Sequence, residues 1–96
     1  MAQFITRVEL HDYATGDEYE TLHTAMQKEG FIRNILATDG KYYHMLTAEY
    51  NMNANIPAED VRALAVKAAK TTGKRHSVFV SEIQRCVWIG LTEVIK

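Results

Sequence analysis

The chain has 96 residues and a formal net charge of −1, and 47% of its residues are hydrophobic and 24% charged. These values are ordinary for one soluble globular domain spanning residues 1–96, and they argue against disorder and against the strongly basic surface of a nonspecific nucleic-acid coat. The single cysteine, Cys86, excludes an intrachain disulfide, and no apolar run reaches the roughly 20 residues of a membrane span. Because the N-terminus MAQFITRVEL is unlike a signal peptide, we expect a cytoplasmic protein without membrane contact.

The first two predicted elements are a strand and a helix. Residues 3–11 alternate, with Phe4, Thr6, Val8 and Leu10 on one side, which is typical of a half-buried strand. The motif TGDE at residues 15–18 matches a helix capping box, and Gly30 supplies a stop. Between them, four side chains form one stripe at helical spacing: Tyr19, Leu22, His23 and Met26.

Residues 31–38 and 41–50 are predicted to form a β-hairpin around Asp39–Gly40, a dipeptide that favours a two-residue turn. Counting outward from this turn pairs Ile35 with His44, and it places Arg33 on the same face as His44, one diagonal step away. The polar segment NMNAN, residues 51–55, is predicted to be a loop.

A second helix is predicted from Pro57, as its first residue, to Gly73, with Val61, Leu64, Ala65 and Ala68 as its apolar stripe. Two strands follow, at residues 76–83 and 87–94. The order of elements predicts an α+β fold, a ferredoxin-like βαββαβ sandwich in which an antiparallel sheet carries both helices on one face.

The first and third strands of this sheet should be central. The sheet face opposite the helices would carry Ile5, Arg7 and Glu9, either exposed or covered by a partner. The extra C-terminal strand would form a hairpin with the strand before it or exchange onto a second subunit, which would make the protein a homodimer.

The sequence has none of the common catalytic motifs, such as a P-loop or HExxH, so candidate residues rest on their chemistry. His23 is either a general base at the border of helix and sheet or an edge-of-core histidine bonded to a neighbour. Arg33 is either a phosphate ligand or a surface arginine. Asp12, which follows His11 at the end of the first strand, is either part of an acid–base or metal-binding pair or a turn acceptor.

RNA contacts are expected from aromatic and basic residues. Tyr42 and Tyr43 either offer a platform on which unpaired bases stack or pack within the sheet. A run of cations at residues 67–75 either meets phosphates or forms a solvated helix end; it consists of Lys67, Lys70, Lys74 and Arg75.

Four segments, TRVELHD, LHTAMQKEGF, DGKYYHMLTAEY and AAKTTGK, resemble the GhoS family, the endoribonuclease antitoxins of type V toxin–antitoxin systems. The resemblance covers roughly residues 4 to 92, with the elements in the same order. It implies a ferredoxin-like fold akin to the small CRISPR-associated endonucleases, and cleavage of the single-stranded messenger RNA that encodes a membrane-damaging toxin. The family position thought to matter most lies within LHTAM, where the characterised type has an arginine and this chain has His23.

RNA cleavage needs a base for the 2′-hydroxyl, a cation at the phosphate and an acid for the leaving oxygen. His23 or His44 would serve as base or acid, and Arg33 as the cation, without a cofactor. In a metal-assisted variant, Asp12 would bind Mg²⁺. The alternative function is a noncatalytic dimeric ferredoxin-like module that binds protein or RNA, which the near-neutral charge, the missing catalytic motif and the extra strand favour.

Overall fold

The computed structural model describes residues 1–95. The helices are α1 (Gly16–Lys28) and α2 (Ala58–Lys70), and the strands are β1 (Ala2–Leu10), β2 (Asn34–Leu36), β3 (Tyr42–His44), β4 (Glu49–Ala54) and β5 (His76–Ile83). An antiparallel sheet has the order β4-β1-β5, and β2 and β3 form a separate two-stranded sheet. No helix among the described residues is long and apolar enough to cross a membrane.

The core lies between one face of the β4-β1-β5 sheet and both helices. Alternate residues of β1, among them Phe4 and Val8, are buried there, as the period-two pattern predicted. The helices contribute Leu22 and Met26 from α1 and Val61, Ala65, Ala68 and Ala69 from α2. The structure therefore confirms the α+β ferredoxin-like fold with both helices on one face of an antiparallel sheet.

The ends of α1 follow from its sequence. The N–H of Glu18 donates to Thr15 Oγ1, and the Thr15 N–H donates to Glu18 Oε1 at 2.8 Å, so the predicted capping box is present. Gly30 then has a φ of 98°, the left-handed conformation that ends the helix. At the start of α2, Pro57 is the cap residue and not the first helical residue.

The predictions for residues 41–50 and 51–55 are wrong in their boundaries. The strand that follows the turn ends at His44, the chain leaves the sheet with Ala48 at a φ of 59°, and it re-enters as β4. Residues 51–54 of the polar segment NMNAN thus lie within β4 and not in a loop, and Asn55 follows the end of the strand. Asn51 is buried, and its side-chain oxygen accepts a hydrogen bond from Gln3 Nε2 at 2.9 Å, which offsets the cost of burying it.

β4 is the fourth strand of this chain, but it occupies the place of the third strand in the ferredoxin-like fold, because it lies next to β1 and precedes α2. On its outer side, Ile32 and Asn51 form a single bridge, with hydrogen bonds of 2.9 and 2.7 Å between their backbones. Of the strand predicted at residues 31–38, only Asn34–Leu36 form a regular strand, which is β2. In the described part of the chain, the segment pairs with the main sheet only through Ile32.

The predicted hairpin register is wrong by one residue. The turn holds three residues, since the Ala37 N–H donates to the Lys41 carbonyl at 2.9 Å and Gly40 has a φ of 81°. His44 consequently pairs with Asn34 and not with Ile35. A one-residue slip moves side chains to the opposite face, so Arg33 does not share a face with His44.

The C-terminal segment after β5 lies antiparallel to β3. The His44 N–H donates to the Thr92 carbonyl, the Val94 N–H donates to the Tyr42 carbonyl, and Tyr43 and Glu93 form a bridge. The segment thus pairs with the small hairpin of its own chain instead of with β5. Trp88, Cys86 and Val87 line a cavity of about 330 Å³ together with Ile5, so this segment lies over part of the sheet face opposite the helices.

Thr6 provides a test of the packing between β1 and the helices. Its side chain is fully buried, and its hydroxyl has no hydrogen-bond partner among residues 1–95. A buried, unpaired hydroxyl costs stability, and valine has nearly the same shape without it. We expect Thr6→Val to raise the free energy of unfolding by about 1 kcal/mol, measured by urea denaturation.

The control is Thr6→Ala, which removes the hydroxyl and also leaves a void where the methyl group was. We expect this variant to be less stable than Thr6→Val. A valine variant that is less stable than the wild type would show that the hydroxyl is satisfied in solution.

Candidate functional site

A cleft of about 360 Å³ lies where α1 meets the chain entering β2. We call it the His23 cleft, and its lining residues are Glu20, His23, Thr24, Gln27, Phe31, Ile32, Arg33 and Asn34. Two of the residues predicted to be catalytic, His23 and Arg33, therefore line the same cavity. The helical stripe of α1 brings His23 to this place, and the short connection after Gly30 brings Arg33.

His23 is held by Tyr50, which lies in β4 and is fully buried. The distance from His23 Nδ1 to the Tyr50 hydroxyl is 2.6 Å. The Tyr50 ring also packs edge-on against Phe31, with centroids 6.3 Å apart, so the hydroxyl is fixed in place. Because Nδ1 is occupied by this contact, Nε2 is the ring nitrogen of His23 that remains for a ligand.

The surroundings of His23 lower its pKa. Burial is the largest cause, the nearby positive charge of Arg33 is the next, and Glu20 acts weakly in the opposite direction. The imidazole is therefore neutral at pH 7. His23 binds a proton more readily in the unfolded chain than in the folded one. The free energy of unfolding therefore decreases as the pH falls below 6.5.

Burial acts on the partner in the opposite sense and raises the pKa of the Tyr50 hydroxyl. Tyr50 thus keeps its proton at any physiological pH. A phenolic hydroxyl can both donate and accept, so the bond to Nδ1 holds the ring of His23 in either tautomer. The tautomer that a general base needs has Nδ1–H donating to the Tyr50 oxygen and a free electron pair on Nε2.

His44 does not line the His23 cleft. Its residue is the cross-strand partner of Asn34, which does line the cleft, and directly opposed side chains share a face of a hairpin. His44 is exposed. The structure therefore separates His44 from Arg33 on the hairpin, and it leaves His44 connected to the cavity only through its cross-strand partner Asn34.

Asp12 belongs to a different part of the surface. Its carboxylate accepts two hydrogen bonds from Arg75, at 2.6 and 2.9 Å, and this guanidinium lowers the pKa of Asp12. Lys74 donates to the backbone carbonyl of Asp12. Asp12 has a φ of 62° and does not line the His23 cleft. Within residues 1–95, no group of three or more His, Cys, Asp or Glu side chains is placed to hold a metal ion.

The predicted basic run is largely engaged in ion pairs. Lys67 lies 3.4 Å from Glu29, and Lys74 lies 3.6 Å from Glu18, while Arg75 is paired with Asp12. Only Lys67 of this run borders the groove between α1 and α2, which has a volume of about 450 Å³. That groove adjoins the His23 cleft, because Glu20 and Thr24 line both.

The two tyrosines of β3 have different surroundings. Tyr43 packs against Trp88 with ring centroids 5.7 Å apart, and its hydroxyl donates to Asp39 Oδ2 at 2.9 Å. It holds the C-terminal segment, as expected for an aromatic that packs within the structure. Tyr42 is 40% exposed and lies opposite Leu36.

Sequence reasoning missed Tyr50 as part of the site, as well as the polar lining residues Glu20, Gln27 and Asn34. The spacing of Tyr19 and His23 on one helical stripe did indicate a histidine at the edge of the core. Nothing local identifies Tyr50 as its partner, because the two residues are 27 positions apart in the chain.

Comparisons with known proteins do not assign this chain to a family. No protein-family model matches the chain, and no curated protein matches it significantly.

The charges around His23 allow a direct test of the cleft geometry. We expect Arg33→Gln to raise the pKa of His23, because a neighbouring cation is removed, and Glu20→Gln to lower it, because an anion is removed. The measurement is an NMR titration of the imidazole carbon-bound protons in the two variants and the wild type. A shift of the same sign in both variants, or none in Arg33→Gln, would contradict the placement of Arg33.

Proposed function

We propose that this protein is an endoribonuclease that cleaves single-stranded messenger RNA in the His23 cleft, and that it acts in the cytoplasm as an RNA-level antitoxin of the GhoS type. The observation that supports the proposal best is that the imidazole of His23, oriented by Tyr50, lies in the same cavity as Arg33, in surroundings that lower its pKa. These residues supply a base and a phosphate-binding cation.

The proposed reaction starts at the 2′-hydroxyl of the RNA. Its proton passes to Nε2 of His23, and the 2′-oxygen attacks the adjacent phosphorus. The bond from phosphorus to the 5′-oxygen breaks, and in this proposal the oxygen takes a proton from His44, the cross-strand partner of the lining residue Asn34. The products are a 2′,3′-cyclic phosphate and a 5′-hydroxyl.

The other groups of the cleft have supporting roles in this scheme. Arg33 holds the nonbridging phosphate oxygens, where negative charge accumulates during the attack. Once His23 is protonated, its Nδ1–H donates to Tyr50, which keeps the ring in position. The positive charge of Arg33 disfavours the imidazolium form of His23. During the reaction, the negative phosphate bound to Arg33 offsets this effect.

The groove between α1 and α2 offers a path for the RNA backbone. It adjoins the His23 cleft, and its charged lining residues are Lys28 and Lys67 together with Glu20 and Glu29. Among the basic residues predicted to bind RNA, Lys67 is the one this path supports. With a net charge of −1, the protein would bind through these few local contacts and not through a general attraction to nucleic acid.

We propose a metal-independent reaction. A route through Asp12 and Mg²⁺ would require the carboxylate to exchange Arg75 for the ion, and it would place the ion away from the cleft that holds His23 and Arg33. Cleavage in the presence of EDTA is therefore expected to equal cleavage with Mg²⁺. If Mg²⁺ is required, this part of the proposal is wrong.

The second candidate is the noncatalytic dimeric module that binds protein or RNA. The observation in its favour is that the cations at residues 67, 74 and 75 are paired within the chain. In that case substitutions in the His23 cleft would leave the function intact.

The deciding experiment uses a labelled pool of single-stranded RNA and His23→Ala. Because general acid–base catalysis typically contributes 10²–10⁴-fold, we expect the variant to cleave at least about 100 times more slowly than the wild type. Gel electrophoresis measures the rate, and thermal denaturation confirms that the variant is folded.

The matched control is His11→Gln, which changes a histidine outside the cleft whose Nε2 contacts Ser77. It is expected to cleave at the wild-type rate. Folded wild-type protein that cleaves no RNA with Mg²⁺ or with EDTA, or a His23→Ala variant as active as the wild type, would favour the binding module.

A further inference from the structure

The outer edge of β5 is open. β5 has eight residues and pairs with β1 on one side, and no strand among residues 1–95 pairs with its other side. Long edge strands usually carry a lysine, a proline or a bulge that prevents pairing with another chain. HSVFVSEI contains neither lysine nor proline, it pairs with β1 without a bulge, and Phe79 is 68% exposed.

The backbone groups that face this edge can be identified. The His11 N–H donates to the Arg75 carbonyl at 2.8 Å, so Arg75 directs its backbone groups towards β1. In an antiparallel pair this direction alternates from residue to residue. The backbone N–H and carbonyl groups of four residues therefore point to the open edge: His76, Val78, Val80 and Glu82.

We propose that β5 binds β5 of a second copy of this chain, antiparallel, with a two-fold axis at Phe79. This axis sets Val78 opposite Val80 of the partner subunit and His76 opposite Glu82 of the partner subunit. All the edge-facing residues are then hydrogen-bonded, and one sheet runs through both copies. An axis at Val78 or at Val80 would leave a residue at one end unpaired.

The side chains of β5 are complementary to themselves in this register. On the face opposite the helices, Phe79 meets Phe79 of the partner subunit, which covers a ring that is otherwise exposed. On the helix face, the half-buried Val78 and Val80 lie side by side across the junction. The carboxylate of Glu82 faces an imidazole and not another acid. Such self-complementarity is what a two-fold interface requires.

The inference rests on β5 alone and does not depend on the nuclease proposal, since no residue of the His23 cleft takes part. Its first test is the oligomeric state of the full chain by sedimentation velocity over a range of concentrations. We expect a dimer for the wild type and a dissociation constant at least about tenfold higher for Phe79→Lys, which places two like charges on the axis.

The matched control is Val87→Lys, which adds the same charge at an apolar residue that is 79% exposed and lies outside β5. The dissociation constant of its dimer should equal that of the wild type. A wild-type chain that stays monomeric up to millimolar concentration, or equal weakening by both variants, overturns the proposal.

The second test fixes the register by disulfide formation in a Cys86→Ser background. Phe79→Cys should give covalent dimers on mild oxidation, because Cα atoms in a non-hydrogen-bonded pair are about 4.5 Å apart, within disulfide range. Ser77→Cys should not, since its own copy would lie roughly 13 Å away along the strand.

The double variant Ser77→Cys/Ser81→Cys keeps Phe79 and should also form covalent dimers, because these two positions face each other in the proposed register. Covalent dimers from Ser77→Cys alone as fast as from Phe79→Cys, or none from either Phe79→Cys or the double variant, would show that the register is wrong.

Discussion

The hydrogen bond between Tyr50 and His23 is the contact on which the candidate site depends. Tyr50 is fully buried between the sheet and α1, and a buried phenolic hydroxyl is costly without a partner. His23 supplies that partner at 2.6 Å. The contact that gives the buried Tyr50 hydroxyl its hydrogen-bond partner therefore also orients the imidazole of His23 and partly removes it from water. The depressed pKa of His23 is a consequence of how the core is closed.

Local patterns predicted the parts of the fold that are decided locally. The alternation in β1, the capping box of α1 and the limits of β5 all appear in the structure as expected. The segment NMNAN was misread because its place in β4 depends on Gln3, which is 48 positions away and satisfies Asn51. A polar residue in a strand has no local signal that tells whether a distant partner exists.

The hairpin shows how a small local error changes the interpretation of a site. Asp39–Gly40 fits a two-residue turn and a three-residue turn equally well by composition, and the backbone adopts the longer one. The resulting shift of one residue removes Arg33 from the face of His44. Arg33 instead lines the same cavity as His23, because the segment after Gly30 carries it there. This arrangement depends on the packing of α1 against β4 through His23 and Tyr50.

The partners of the basic residues, like those of Asn51 and His23, are distant in the sequence. Lys74 and Arg75 were expected at the end of a helix, but their partners, Glu18 and Asp12, lie in the first fifth of the chain and become neighbours only when β5 pairs with β1. A basic run in sequence is therefore not a basic surface in the fold. Arg33, which is isolated from other cations in the sequence, is the cation that lines the cleft with His23.

The two ends of the main sheet are suited to different roles. At the β4 end, the Ile32 bridge, the small hairpin and the C-terminal segment cover the sheet, and the His23 cleft forms where this cover meets α1. At the β5 end, no part of residues 1–95 pairs with the edge. Because β1 separates the two ends, a second copy bound at β5 would leave the cleft open. Self-association and RNA binding would then not compete for the same surface, and each copy in a dimer would keep a complete cleft of its own.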